Sequence, residues 1–431
     1  MVSKKGRMPT HIKKKHFEHP GIEHPVIQIL ERLEDPRKPS FFFRYSLTTV
    51  LFMTIIAVMC GATDWPKVIV MATGMRDWLA KYVDMAAGIP CERTFINVMN
   101  MLSPEALERV LRDLSSIIRE KIPYEVISFD GQTARGTADR QANVSGIHLI
   151  SAWSAENGIC LGQSKVDDKS NEIAAVPELM EALDLKGAII TADALNTQKA
   201  IAAKVIEKEG DYLLPVKGNQ PTLLEEIISA FESVDTERSV SKTQWERAIA
   251  KSKEQRDDRR LKQLLAKGAS SCGAFVLQSE LEKSHGRIET RSCMTISSNV
   301  LPSKSEWKNI NSLARVERKR ILGDKMEHEV IYYISSLPPC DVQLIANATR
   351  KHWRVENSLH WRLDVVFRQD QSRYRNRIGA RNLATIRKMV LNVLSKETSL
   401  KGGIATKQCA AACNPAYRDK VLTSLLSTIK M

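Results

Sequence analysis

Five stretches between residues 126 and 216 decide the fold: Val126-Ile-Ser-Phe-Asp130, Ile147-His-Leu-Ile-Ser-Ala-Trp-Ser-Ala155, Gly158-Ile-Cys-Leu-Gly-Gln-Ser-Lys-Val166, Gly187-Ala-Ile-Ile-Thr-Ala-Asp-Ala194 and Asp211-Tyr-Leu-Leu-Pro-Val216. Each is a short run of apolar and β-branched residues bounded by turn formers, the signature of a strand. The second and third are joined by the tight turn Glu156-Asn157-Gly158, so the first three form an antiparallel meander. Helices are expected between the others, one from Pro177 to Leu185, started by its proline, and one from Thr197 to Glu209. Strand, helix, strand, helix, strand requires right-handed parallel crossovers.

A meander followed by two crossovers predicts an α/β fold of RNase H-like type, a mixed sheet of strand order 3-2-1-4-5. Strands 1 and 4 are then parallel neighbours. Asp130 and Asp193 would lie side by side at their carboxyl ends, where open α/β sheets bind ligands. Working outward, residues 20–122 read as an N-terminal helical domain after a basic N-terminus, residues 1–19. Residues 123–220 carry the first part of the core. Residues 221–340 read as a mixed, β-rich insertion, with strands at Phe275–Glu282, Arg287–Ser297 and Val330–Ser335. Residues 341–431 return to the core through a helix, Val342–Phe367, and end in basic helices.

The chain has 431 residues, 43% of them hydrophobic, enough to bury a sizeable core. Lys and Arg outnumber Asp and Glu by 64 to 50, a net charge of +14, which favours a polyanionic partner. Between Arg350 and Lys388, eleven basic residues face three acids, so about eight of those excess charges fall in one stretch. Lys4, Lys5, Arg7, Lys13, Lys14 and Lys15 add a second basic run. The eight cysteines form no CxxC pair, which argues against a zinc site or a disulfide framework and for a reducing compartment. No signal peptide is read. Leu47–Gly61 is nearly all apolar and borders on the ~20 residues of a membrane span. Its threonines and its Cys60-Gly61 end favour a buried core helix.

Glu356 supplies a third acid. At about 100° per residue it falls inside the apolar arc of its helix, with Val355, Leu359, Leu363 and Phe367. A buried carboxylate needs compensation, from a divalent metal or from an Arg or one of the flanking histidines. His352 and His360 are ~12 Å apart along such a helix, too far to clasp one zinc ion. Taken singly, Asp130 fits a turn residue and Asp193 the cap of the next helix. Taken together, three carboxylates suit Mg²⁺, with Mn²⁺ as a substitute, and two ions would serve an in-line phosphoryl displacement. Lys217, Asn219 and Gln220 follow the fifth strand and are either phosphate contacts or a polar turn; Trp353 and Trp361 are candidates for base stacking, with Trp353 expected in the core.

A set of ordered motifs runs from about His24 to the C-terminus: Asp35-Pro-Arg37, Cys60-Gly-Ala62, Gly88-Ile-Pro90, Phe129-Asp-Gly-Gln-Thr133, Asp168-Lys-Ser-Asn-Glu172, Thr191-Ala-Asp-Ala194, Asp211-Tyr-Leu-Leu-Pro-Val-Lys-Gly-Asn-Gln220, His285-Gly-Arg-Ile-Glu289 and His352-Trp-Arg-Val-Glu-Asn-Ser-Leu-His-Trp-Arg-Leu-Asp364. In these the sequence resembles the DDE insertion-sequence transposases called H-repeat-associated proteins. The resemblance implies that Asp130, Asp193 and Glu356 are the acidic triad that binds metal and carries catalysis. It departs from the wider group's Tyr-x2-Arg-x3-Glu-x6-Lys pattern, since Thr349, His352 and Leu363 occupy those positions, and Gln132 stands where relatives commonly have Lys.

The expected function is therefore a transposase that binds its element's ends in double-stranded DNA and performs metal-dependent cleavage and transfer into target DNA. It would act as a homo-oligomer on DNA, in the cytoplasm at the nucleoid, with no membrane partner. Arg350, Arg354, Arg362, Arg373, Arg375, Arg377 and Lys217 are its candidate DNA contacts. The rival functions are a catalytically silent DNA-binding protein on the same scaffold and a structure-specific nuclease that cuts without joining.

Overall fold

A computed structural model of the chain describes residues 24–38, 44–139, 141–166, 172–254, 274–278, 282–284, 287–322 and 325–426. The basic run Lys4–Lys15 and the motif residues 168–171 lie outside them. The chain divides into two compact units, residues 1–114 with 376–431, and residues 115–375. The C-terminal helices thus group with the N-terminal ones and not with the sheet.

The helical unit is built around Leu47–Met59. All thirteen of its residues are buried, and Ser46 caps its start by accepting a hydrogen bond from the Thr49 N–H. Helices Pro25–Glu31, Trp65–Gly74, Glu92–Met101 and Arg377–Lys396 pack around it. At 1.5 Å per residue this helix is roughly 20 Å long, short of the ~30 Å hydrocarbon thickness. No helix among the described residues is long and apolar enough to cross a membrane. The Arg377–Lys396 helix is basic in sequence but mostly buried. Arg381 pairs with Glu105 and Glu108, and the Asn382 side chain donates to the carbonyls of Met99 and Leu102.

The second unit carries one mixed sheet of ten strands. These are β1 Val126–Ala134, β2 Ile147–Ser154, β3 Ile159–Val166, β4 Ile189–Ala192, β5 Asp211–Val216, β6 Phe275–Gln278, β7 Glu282–Ser284, β8 Arg287–Ser297, β9 Ser312–Leu322 and β10 Lys325–Ser335. Their order is β3-β2-β1-β4-β5-β10-β9-β8-β6, with β7 paired to β8. The strand order differs from the expected one because the sheet does not stop at the fifth strand. The outer edge of β5 pairs antiparallel with Tyr332–Ser335 of β10. An open edge would expose unpaired backbone groups, and the inserted strands satisfy them.

Strand β4 is short and buried at every position, as a parallel strand covered on both faces should be. Strands β8, β9 and β10 are longer, antiparallel and rich in charge, with Arg318 of β9 ion-paired to Glu329 opposite it on β10. Ile345 and Ala348 of the helix Val342–His352 pack on the middle of the sheet with Val126, Ile189, Leu213 and Tyr333. One helix starts elsewhere than expected: it spans Glu172–Glu181 with Pro177 inside it. Its Glu172 is buried and hydrogen-bonded to His148.

Candidate metal centre

Strands β1 and β4 run parallel with Phe129 opposite Ala192, so the next residues, Asp130 and Asp193, leave that pairing at the same level. The sequence suggested that β1 ends at Asp130. It continues to Ala134 against β2, and only its pairing with the shorter β4 stops at Phe129. Both carboxylates are half-buried. Asp130 Oδ1 accepts the Gly131 N–H at 2.9 Å. Asp193 caps the short turn Ala194–Asn196, its Oδ1 accepting from the Asn196 backbone N–H at 3.1 Å and from Asn196 Nδ2 at 2.8 Å.

The third acid arrives on a distorted helix. The chain is α-helical over Val342–His352, then winds as π-helix over Glu356–His360 and Arg362–Val366. Such turns are wider than those of an α-helix and are frequent at functional sites. The buried positions Val355, Leu359, Leu363 and Phe367 recur every four residues, a longer period than 3.6. This corrects the expectation that Glu356 is buried: on the wider turn it leaves the apolar stripe, and its side chain is 68% exposed. Trp353, expected in the core, is exposed at the C-cap of the α-helical segment.

His360, one turn beyond Glu356, completes a cluster. Its Nδ1 lies 3.5 Å from Asp130 Oδ2 and 3.5 Å from Glu356 Oε2. One ligand atom from each of Asp130, Glu356 and His360 lies within 4.8 Å of the other two. Asp193 is outside this trio, but its charge is felt there. The Asp130 carboxyl is pushed up to about 7, first by burial and then by the charge of Asp193, with smaller contributions from Glu356 and Glu172. An aspartate pushed up by burial and by neighbouring acids marks a site whose charge a hard divalent cation would balance with oxygen ligands. The imidazole adds one nitrogen donor.

Gln132 donates to Asp364 Oδ2 at 2.7 Å, and burial pushes the Asp364 carboxyl up to about 6, with Asp370 adding to the effect. This contact tethers the helix end to β1. The approach is tight: a Cβ on Gly136 would sit 2.6 Å from the carbonyls of Asp370 and Ser372. His352 faces away from His360 to Thr191 Oγ1 at 3.0 Å, and burial, then Lys217, pushes it down to about 4. The two histidines therefore share no ligand.

The basic candidates separate by environment. Arg354, Arg373 and Arg375 are exposed, as is Lys217; Arg350, Arg362 and Arg377 are half-buried. Arg375 pairs with Asp139 at 3.1 Å. Arg387 and Lys388, in the same basic stretch, are only 4% and 1% exposed and offer no surface to a polyanion. Asn219 and Gln220 donate to the carbonyls of Ala194 and Thr197, holding the loop after β4. In the sequence His360 stands out only as a partner of Glu356 or a zinc ligand, and Glu172 is not singled out. The four-residue spacing to Glu356 places His360 beside that acid and Asp130, whereas Glu172 gave no signal beyond its place in a motif.

Residues 121–393, well over half of the chain, match the family described as "Transposase DDE domain", and residues 27–114 match the region described as "DDE_Tnp_1-associated". The chain is 37% identical over 388 residues to "Putative transposase YncI" of Escherichia coli O157:H7, covering 88% of this chain and 90% of that protein. It is 33% identical over 384 residues to "H repeat-associated putative transposase YhhI" of Escherichia coli strain K12, covering 88% and 92%. With a family match of that extent around two paired strand ends and a helical glutamate, the chain belongs to the DDE-domain transposases.

Proposed function

We propose that this protein is the DNA transposase of an insertion sequence, with Asp130, Asp193 and Glu356 as its catalytic, metal-binding acids on an RNase H-like core formed by the first five strands. The observation that carries the reading is the convergence on Asp130: Asp193 stands beside it across the β1–β4 register and Glu356 reaches it from the π-helix. The raised Asp130 carboxyl fits a cation-binding role, because charge repulsion there is relieved when a divalent ion binds. Mg²⁺, two ions with Mn²⁺ as substitute, would supply activation of the attacking hydroxyl and stabilisation of the leaving oxygen.

The chain's own residues do the rest. Asp130 and Asp193 present oxygens from rigid strand ends, Glu356 closes the site from an exposed helical face, and Arg354, Arg373, Arg375 and Lys217 offer positive charge to phosphate. Arg350, Arg362 and Arg377 would add contacts from less exposed positions. The partners are double-stranded element ends and target DNA, engaged by a homo-oligomer in the cytoplasm at the nucleoid. The domain division keeps residues 20–122 as a helical domain, 123–220 and 341–375 as the core and 221–340 as the insertion, with the basic helices from residue 376 onward belonging to the helical unit.

The test is a strand-transfer assay on duplexes carrying the DNA that flanks the reading frame, with Mg²⁺ and a target plasmid. The proposal expects nicked ends followed by joined products. Cleavage without joining would make the protein a nuclease, and DNA binding without cleavage would make it a silent binder.

A further inference from the structure

Behind the two aspartates lies a buried polar chain that the triad alone does not require. Glu172, 2% exposed, receives His148 Nε2 on Oε1 at 2.6 Å and Asn196 Nδ2 on Oε2 at 3.3 Å. His148 is held in turn by Thr133 Oγ1 at 2.8 Å, its partner directly across the β1–β2 ladder. Asn196, 1% exposed, sends the same amide nitrogen to Asp193 Oδ1 at 2.8 Å. The chain therefore runs from β1 through β2 and the start of the Glu172–Glu181 helix to the aspartate after β4.

Its polarity is defined by chemistry. Only the NH₂ end of an amide can serve two carboxylates, so Asn196 must turn its nitrogen toward Glu172 and Asp193. Its Oδ1 is left buried without a hydrogen-bond partner, a cost accepted for that orientation. Asp193 Oδ1 is thereby occupied by two N–H groups, while Oδ2 receives none among the described residues. Gly131 belongs to the same arrangement. A Cβ there would lie 2.6 Å from His148 Nε2 and 2.9 Å from Glu172 Oε1, so the glycine after Asp130 makes the space in which the pair sits.

We infer that Asn196 is a positioning residue for Asp193, anchored by Glu172 and His148, and that the network aims Asp193 Oδ2 at the metal. This inference rests on the metal-binding reading of the site given above. Residues that orient metal ligands from behind cost 10–100-fold in affinity when lost, without themselves touching the ion.

The experiment is calorimetric titration of the full chain with Mn²⁺ alone, alongside thermal melting of the metal-free protein. Asn196→Ala and Glu172→Ala should each lose roughly 10–100-fold in Mn²⁺ affinity. Glu172→Gln, which keeps an acceptor for Asn196 and a partner for His148, should stay within about threefold of wild type, well inside that range. Should Asn196→Ala fail to fold, the contrast between the two Glu172 variants decides. Wild-type affinity in folded Asn196→Ala, or equal losses in Glu172→Ala and Glu172→Gln, would overturn the inference. Absence of Mn²⁺ binding in the wild type would instead overturn the metal-binding reading, and the positioning role with it; Asp193→Asn is the control that separates the two.

Discussion

Asp130 is the residue at which burial and charge compete most directly. Burial, and then the charge of Asp193, push its carboxyl up to about 7 from the 3.8 of an ordinary aspartate. Folding therefore favours its protonated form, and that contribution to stability is complete below the ordinary value and lost as the pH rises through about 7. At roughly 1.4 kcal/mol per unit, Asp130→Asn should stabilise the metal-free protein by about 2–4 kcal/mol at pH 8, and the gap should close toward pH 4. Urea unfolding in chelator at both pH values measures it, and a variant no more stable than wild type at pH 8 would show that the site carries no such strain. Gly131→Ala should go the other way, because a methyl group there collides with His148 and Glu172; a loss of about 1–3 kcal/mol is expected from overpacking. The aspartates were legible in the sequence because each follows an apolar strand. The exposure of Glu356 was not, because a wheel drawn at 3.6 residues per turn does not describe a π-helix.

At the scale of the elements, the five strands that open the sheet were readable from apolar runs and turn residues. Strand β9 was not: Arg315, Glu317, Arg318, Lys319 and Arg320 give it the composition of a solvated loop, and it is a strand because Glu329 and Glu327 on β10 and Glu289 on β8 face its arginines. Local charge also misled in the C-terminal helix, where Arg387 and Lys388 turn inward. The polyanion surface of the 350–388 stretch should therefore centre on Arg354 and Arg373, which have no carboxylate partner among the described residues. Reversing both to Glu should weaken DNA binding and make the logarithmic salt dependence shallower by about one per contact. Unchanged affinity and slope would place the DNA track elsewhere. For the apolar helix Leu47–Met59, core packing predicts that Phe52→Ala costs about 3–5 kcal/mol in unfolding experiments, whereas a lipid-facing side chain would cost far less.

Across the whole molecule, the same chemistry ties a net charge of +14 to the proposed site of three acids: the chain attracts a polyanion overall and would repel it at that point, which a divalent cation would reverse. The central claim is that Asp130, Asp193 and Glu356 act as one unit. Its most direct test is the rate of Mg²⁺-dependent cleavage of element-end DNA by Asp130→Asn, Asp193→Asn and Glu356→Gln, each checked for folding and DNA binding. The account predicts that all three bind DNA like the wild type and cleave none of it; wild-type cleavage by any one of them would contradict it.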